Sequence, residues 1–387
     1  MFGKRFKLFN LLGFSVYADS GWFFIFLFLV WTLSVAYFPV VFPTEAIGTY
    51  VFLGSLGALG LFGSVLLHEM GHAVVARVFE VPIGAINLWI FGGFAELEDD
   101  PRTPKGEILM ALAGPLVSFF LAFSCFQAAG YASNLYAHGV LTYLWQVNLL
   151  LGFFNLLPAF PLDGGRVLRS ILWSIRGKRV WATRVAAKIS GIFGIAIMII
   201  GVVGFSTGNF IGGLWYFFIG MFIRWAARAS YLNARVKQLL QGQTVGKFMS
   251  EIQLVPAATR IDDVIQNYVF RYHSSSFPVV DDEGRLIGLL NLESIQKIPE
   301  EQRKHVRAGQ VARKSDPELF VDVNADAADA LSKLRSVGER SPFLLVMDHE
   351  NPTGSISIKD LMEVVALKIQ MAEKGDEAED LDYLKVG

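Results

Sequence analysis

Two histidines four residues apart, His68 and His72, with Glu69 directly after the first, are the residues here best suited to chemistry. In a helix, positions i and i+4 share a face, so both imidazoles can reach one metal ion. Glu69 is then placed to hold a water rather than to ligate. Two imidazoles on zinc beside a carboxylate base make up a metal-dependent hydrolase. The run His68-Glu69-Met70-Gly71-His72 lies late in a very apolar stretch, Tyr50 to Phe79. Ionisable side chains inside a membrane span are expensive, and their default reading is functional. The competing reading is a histidine pair packed within a helix bundle.

Catalytic zinc usually takes three protein ligands plus a water, so a third is needed. The single cysteine, Cys125, lies in an apolar run, which excludes a Cys-based site and an intramolecular disulfide. His138 falls in a loop, and His273, His305 and His349 fall in the more polar C-terminal part. The polar cluster that remains runs from Asn155 through Pro158, Pro161 and Asp163-Gly164-Gly165 to Arg166. Its prolines break the helix and its glycines permit tight backbone geometry. Broken helix at membrane depth is tolerated where it lines a cavity or is buried in protein. Asp163, in that break, is the candidate third ligand. The alternative is a capping aspartate before a basic amphipathic segment.

The elements that must hold these groups are membrane helices. Hydrophobic residues make up 53% of 387, with 33 phenylalanines, a composition suited to a membrane protein. About six spans of bilayer length are expected, near 21–41, 50–78, 107–131, 139–158, 188–206 and 209–227. Residues 1–20 read as a short strand or interfacial segment, without the features of a cleaved signal. Basic residues cluster at Lys4, Arg5 and Lys7, between spans four and five, and after span six, while Phe38–Gly48 and Tyr131–Gly139 carry none. Both termini are therefore expected in the cytoplasm. That orientation brings His68, His72, Asn155 and Ala113-Gly114-Pro115 to one depth, toward the cytoplasmic side. Gly54, Gly57, Gly60 and Gly63 suggest close helix packing rather than a route for substrate or water. A net charge of −1 implies no nucleic-acid partner.

His68-Glu69-Met70-Gly71-His72, followed by Asn155…Pro158…Pro161-Leu162-Asp163-Gly164-Gly165, resembles the site-2 protease family of intramembrane zinc metalloproteases. Phe91-Gly92-Gly93 and Ala113-Gly114-Pro115 resemble further motifs of that family. The resemblance covers residues 1 to about 230. It implies zinc held by His68, His72 and Asp163, Glu69 as catalytic base, and Asn155 orienting substrate or stabilising the oxyanion. Zinc lowers the pKa of its water, and Glu69 accepts the proton as the peptide carbonyl is attacked. A helical substrate must first unwind. Val81 to Glu98 reads as a membrane-associated β-hairpin around Phe91, Gly92 and Gly93, whose edge could pair with an extended substrate. A plain surface hairpin is the alternative.

Residues 229–242 read as a basic, polar linker. Beyond it, a repeat of helix, strand, strand, helix recurs at a spacing of about 65 residues. It resembles a tandem pair of CBS domains, at 243–300 and 301–370, before an acidic tail at 371–387. In that family a Ser/Thr-x-x-Asp after the last strand binds adenosyl ribose. The second copy has Ser357 and Asp360; the first has Asn291 and Ser294, with serine where aspartate is expected. The resemblance thus implies one site for an ATP- or AMP-type ligand, or alternatively a pair that only forms a homodimer.

The fold class expected is a polytopic α-helical membrane protein, residues 1–228, joined to a soluble α/β CBS pair. The function expected is cleavage within or near a transmembrane segment of a membrane protein, such as a membrane-bound transcription regulator or anti-sigma factor, regulated by adenine nucleotide. The enzyme would sit in the cell membrane, in contact with lipid, with its CBS pair cytoplasmic. The rival from another class is a nucleotide-gated transporter or channel with a structural metal site, which has no need of Glu69. A non-catalytic pseudo-protease is the other, disfavoured because no catalytic position is missing.

Overall fold

The computed structural model describes residues 5–89, 92–97, 101–272, 276–314, 316–338 and 341–372. The chain divides into two compact units, Met1–Ala234 and Arg235–Gly387.

The first unit opens on a hairpin, β1 (Arg5–Leu11) and β2 (Phe14–Asp19). Its turn, Leu12-Gly13, has positive φ at both residues, as a type I′ hairpin turn requires. Helix α1 (Ser20–Val41) and helix α2 (Ile47–Val78) follow. Then come β3 (Ile83–Trp89) and β4 (Gly92–Leu97). The expected hairpin at 81–98 is therefore present, but it belongs to a larger sheet of order β1-β2-β3-β4. Strands β2 and β3 run parallel, with Ser15 opposite Ala85 and Ala18 opposite Leu88. The N-terminal segment is thus two paired strands. Phe14, Val16, Ile86 and Leu88 pack on Met70 and Ala73 of α2. The sheet is therefore seated on the helix that carries the two histidines.

Four further helices complete this unit: α3 (Pro104–Tyr131), α4 (Leu135–Asn155), α5 (Asp163–Arg176) and α6 (Arg179–Ser206). The last helix, α7 (Phe210–Leu240), continues past the unit boundary. Among the described residues, five helices are long and apolar enough to cross a membrane: α1, α2, α3, α6 and α7. The fourth expected span forms α4 but is not among those five. His138, Gln146 and Asn148 dilute its hydropathy, and it stops at Asn155, before Pro158. Helix α6 begins at Arg179, well before the expected 188. Long basic side chains can reach the interface while their backbone stays helical, so hydropathy alone underestimates such ends. The same applies to the segment read as a linker from residue 229, which stays helical through Leu240.

Packing inside the bundle is close. A Cβ on Gly54 would lie 2.8 Å from the Val30 carbonyl oxygen, and one on Gly60 would lie 2.6 Å from a Leu144 methyl. Gly63 faces open space. Three of the four stripe glycines, Gly54, Gly57 and Gly60, are therefore packing positions. Asn148, fully buried on α4, donates to Ser64 Oγ on α2 at 2.8 Å.

The second unit holds two similar halves. The first has β5 (Val255–Pro256), a helical stretch α8 over 261–272, β6 (Ser276–Val280), β7 (Leu286–Asn291) and α9 (Leu292–Gln296). The second has β8 (Phe320–Asp322), α10 (Ala327–Val337), β9 (Phe343–Asp348), β10 (Asn351–Ser357) and α11 (Ile358–Ala372). Each half pairs a short leading strand in parallel with the next strand, an element shorter than sequence periodicity can register. The residues of the acidic tail from 373 onward lie outside those described.

Candidate metal centre

Helix α2 brings His68 and His72 one turn apart onto a single face, with Ser64 one turn before them. Both imidazoles are buried, at 4% and 5% exposure. Asp163 reaches them from α5. The chain leaves α4 at Asn155, crosses a tight loop over 156–162 and re-enters helix at Asp163. Space in that loop is minimal. A Cβ on Gly164 would lie 2.2 Å from the Leu156 carbonyl oxygen, and one on Gly165 2.7 Å from Phe160 N. The loop is tied to α6 by Phe160 N–H, which donates to Ser190 Oγ at 2.9 Å. The N-cap of α5 is Leu162, so Asp163 is not the capping residue; it is the first residue of the helix and is turned to the histidines.

The three ligand atoms form a nearly equilateral triangle. His68 Nε2 and His72 Nε2 each lie 3.2 Å from Asp163 Oδ2, and 3.2 Å from one another. A tetrahedral ion with bonds of about 2.0 Å has ligand-to-ligand edges of about 3.3 Å. The triangle therefore matches one face of a zinc tetrahedron and leaves the fourth position for a water or substrate. Among the described residues, this is the one group of three His, Cys, Asp or Glu side chains arranged to hold a metal.

Protonation agrees with that fit. His72 Nδ1 lies 2.7 Å from the Met110 carbonyl oxygen, which can only accept, so Nδ1 donates and Nε2 is the nitrogen free to ligate in the neutral ring. His68 Nδ1 lies 2.9 Å from Ser118 Oγ, which can accept in the same way. With both imidazoles neutral and donating outward from Nδ1, two lone pairs and a carboxylate oxygen would converge, and a divalent cation is their complement.

Helix α3 supplies both partners, and sequence reading missed both. Met110 acts through its backbone, which no side-chain pattern can reveal. Ser118 lies one turn past Gly114. The phrase Ala113-Gly114-Pro115 was the available signal, and its role is now concrete. A Cβ on Gly114 would fall 2.3 Å from His72 Nε2 and 2.6 Å from His68 Nε2. Only a bare backbone fits behind the ligand atoms.

The other expected residues fall as follows. Glu69 is half-buried beside His68. Gly93 on β4 backs onto it, since a Cβ there would lie 2.7 Å from Glu69 Cγ. Strand β4, which begins at Gly92, thus runs beside the glutamate; Phe91 lies outside the described residues. Asn155 ends α4, and its amide donates to the Leu151 carbonyl oxygen at 3.1 Å, so no hydrogen bond joins it to the metal ligands. In the second unit, Asp360 Oδ2 accepts from Ser357 N–H at 2.8 Å and Ser357 Oγ at 2.6 Å. Asp360 Oδ1 accepts from Ser250 Oγ at 2.8 Å.

The Peptidase family M50 profile matches residues 56–137 and 130–201, and the CBS domain profile matches 245–301 and 308–367. Rip3 of Mycobacterium tuberculosis is 36% identical over 268 residues, covering 68% of this chain and 68% of its own. A Synechocystis protein, sll0528, is 34% identical over 321 residues, covering 82% and 83%. Both carry the words zinc metalloprotease in their names. The solved structure of the Site-2 Protease from Methanocaldococcus jannaschii covers 59% of this chain and 95% of its own at 27% identity, with a TM-score of 0.40.

Proposed function

This chain belongs to peptidase family M50 and is a membrane zinc metalloprotease of the site-2 type with tandem CBS domains, and from that premise we propose that it cleaves a peptide bond within or near a transmembrane segment of another membrane protein. The observation that carries the proposal is the 3.2 Å triangle of His68, His72 and Asp163. In this reading those three residues hold zinc. Bound there, zinc supplies Lewis acidity and lowers the pKa of a water toward about 7. Glu69 takes the proton of the attacking water and returns it to the leaving amine. The Asn155 amide, at the end of α4, turns from the Leu151 carbonyl to donate to the substrate carbonyl as charge develops on it.

A transmembrane substrate arrives as a helix whose carbonyls are engaged. Strand β4 is an edge of the sheet, and Gly93 on it adjoins Glu69. An unwound segment pairing with that edge would be held extended beside the base. The substrate in this reading is a transmembrane protein, such as a membrane-bound transcription regulator or anti-sigma factor. Both termini face the cytoplasm in this reading. The CBS pair binds an adenine nucleotide through Ser357 and Asp360, forms a homodimer, and adjusts the rate of cleavage. The rival transporter reading leaves Glu69 without a role.

The test is metal analysis joined to cleavage of single-span candidates in liposomes. Wild type is expected to hold one zinc per chain and cut, and Asp163→Asn to lose both. Zinc held equally by Asp163→Asn would refute the ligand set. A cleavage rate unmoved by saturating nucleotide would sink the regulatory part.

A further inference from the structure

Glu107 and Arg169 form a largely buried ion pair between α3 and α5. Glu107 has no exposed surface at all, and the Arg169 side chain is 12% exposed. Taking such charges out of water is costly, and a hydrophobic pair of similar volume is often as stable or more so. This pair does not even satisfy itself: Glu107 Oε2 and Arg169 Nε have no hydrogen-bond partner among the described residues. Stability is a poor account of it. Its position offers a better one.

Glu107 lies three residues before Met110, whose carbonyl orients His72. Arg169 lies six residues after Asp163, about 9 Å along the same helix. Its guanidinium also sits over the Phe160 ring, 5.5 Å from the centroid, in the loop that delivers Asp163. The first turn of α5 is Asp163-Gly164-Gly165-Arg166, and its two glycines bring no side chain that helps to fix its rotation. A slip of one residue would swing Asp163 by about 100° around the axis. Arg169 is the next anchor, with one guanidinium N–H donating to Glu107 Oε1, and a charge-assisted hydrogen bond fixes direction in a way a hydrophobic contact does not.

We infer that Glu107 and Arg169 are a positioning pair for the zinc site: by locking α5 to α3 they aim the Asp163 carboxylate at the same point that Met110 and Ser118 fix for the two histidines. The inference rests on the ligand reading above. Neither residue touches the metal or the substrate.

The test is the zinc dissociation constant of the full-length protein in detergent, by competition with a chelator of known affinity. It is read beside the melting temperature of the zinc-free protein. Glu107→Gln and Arg169→Gln are each expected to weaken zinc binding about 10- to 100-fold, the range for groups that orient metal ligands. The double variant is expected to be no weaker than the worse single one, because the alignment is lost only once. Arg169→Lys, which keeps the charge but not the planar guanidinium, should fall between wild type and Arg169→Gln. Zinc affinity within twofold of wild type in both single variants, even with a lower melting temperature, would reduce the pair to a structural brace and overturn the inference. If the glutamine variants do not fold, Arg169→Lys decides: unchanged affinity overturns the inference, and weakened affinity supports it. Asp163→Asn is the control. If it binds zinc as well as wild type does, the ligand assignment has failed, and not merely its positioning.

Discussion

Replacing Gly114 by alanine adds one methyl group at a position that is neither ligand, base nor hydrogen-bond partner, and it should empty the metal site. The added Cβ would lie 2.3 Å from His72 Nε2 and 2.6 Å from His68 Nε2. Ordinary contact begins near 3.4 Å, so the two nitrogens would have to retreat by about 1.1 and 0.8 Å. Metal–ligand distances tolerate only about ±0.2 Å. Each imidazole is also held at its far nitrogen, by the Met110 carbonyl or by Ser118, so moving it breaks a second contact. Zinc affinity should fall by about 100-fold or more, at or beyond the upper end of the range for groups that orient ligands. Chelator competition on the purified protein reads this directly. Gly63→Ala is the matched control, since a Cβ there meets nothing within 4 Å. Wild-type zinc affinity in Gly114→Ala would refute the packing argument, whatever happened to cleavage.

Other outcomes follow from the same contacts. Gly93→Ala should push on Glu69, whose Cγ would lie 2.7 Å from the new Cβ, so kcat should drop while zinc content holds. Asn148→Ala removes the donor to Ser64 and should destabilise the membrane unit by about 0.6–1.7 kcal/mol, measured by unfolding in detergent. Asp360→Ala removes an acceptor that gathers Ser357 and Ser250, and should cost adenine-nucleotide affinity about 10-fold or more by calorimetry. Ser294→Ala, in the copy lacking that aspartate, should leave the affinity unchanged.

What the sequence disclosed were side chains that the structure brings together in a group able to hold a metal. His68, Glu69 and His72 were legible because helical spacing is a local property. Asp163 was legible because two prolines and two glycines cannot continue a membrane helix. The groups that aim them were not legible. The Met110 carbonyl has no residue type to betray it, and Ser118 and Glu107 matter only once α3 is laid against α2 and α5. Gly114 was visible as part of a phrase, yet its reason is a distance to two imidazoles that no pattern contains. Helix ends were misjudged where charge met hydropathy. Arg179, Arg184 and Lys188 lie within α6, and α7 runs on through Arg224, Arg228 and Arg235. A short strand was one reading of residues 1–20, but its pairing with β3 was hard to foresee because β3 lies two membrane helices away in the chain.

The measurement closest to the central claim compares wild type with Glu69→Gln, purified and reconstituted with a single-span substrate. Zinc per chain and cleavage are read on the same samples. One zinc in each, with cleavage by wild type alone, is the outcome expected of a base that binds no metal. Cleavage by Glu69→Gln at the wild-type rate would contradict the account.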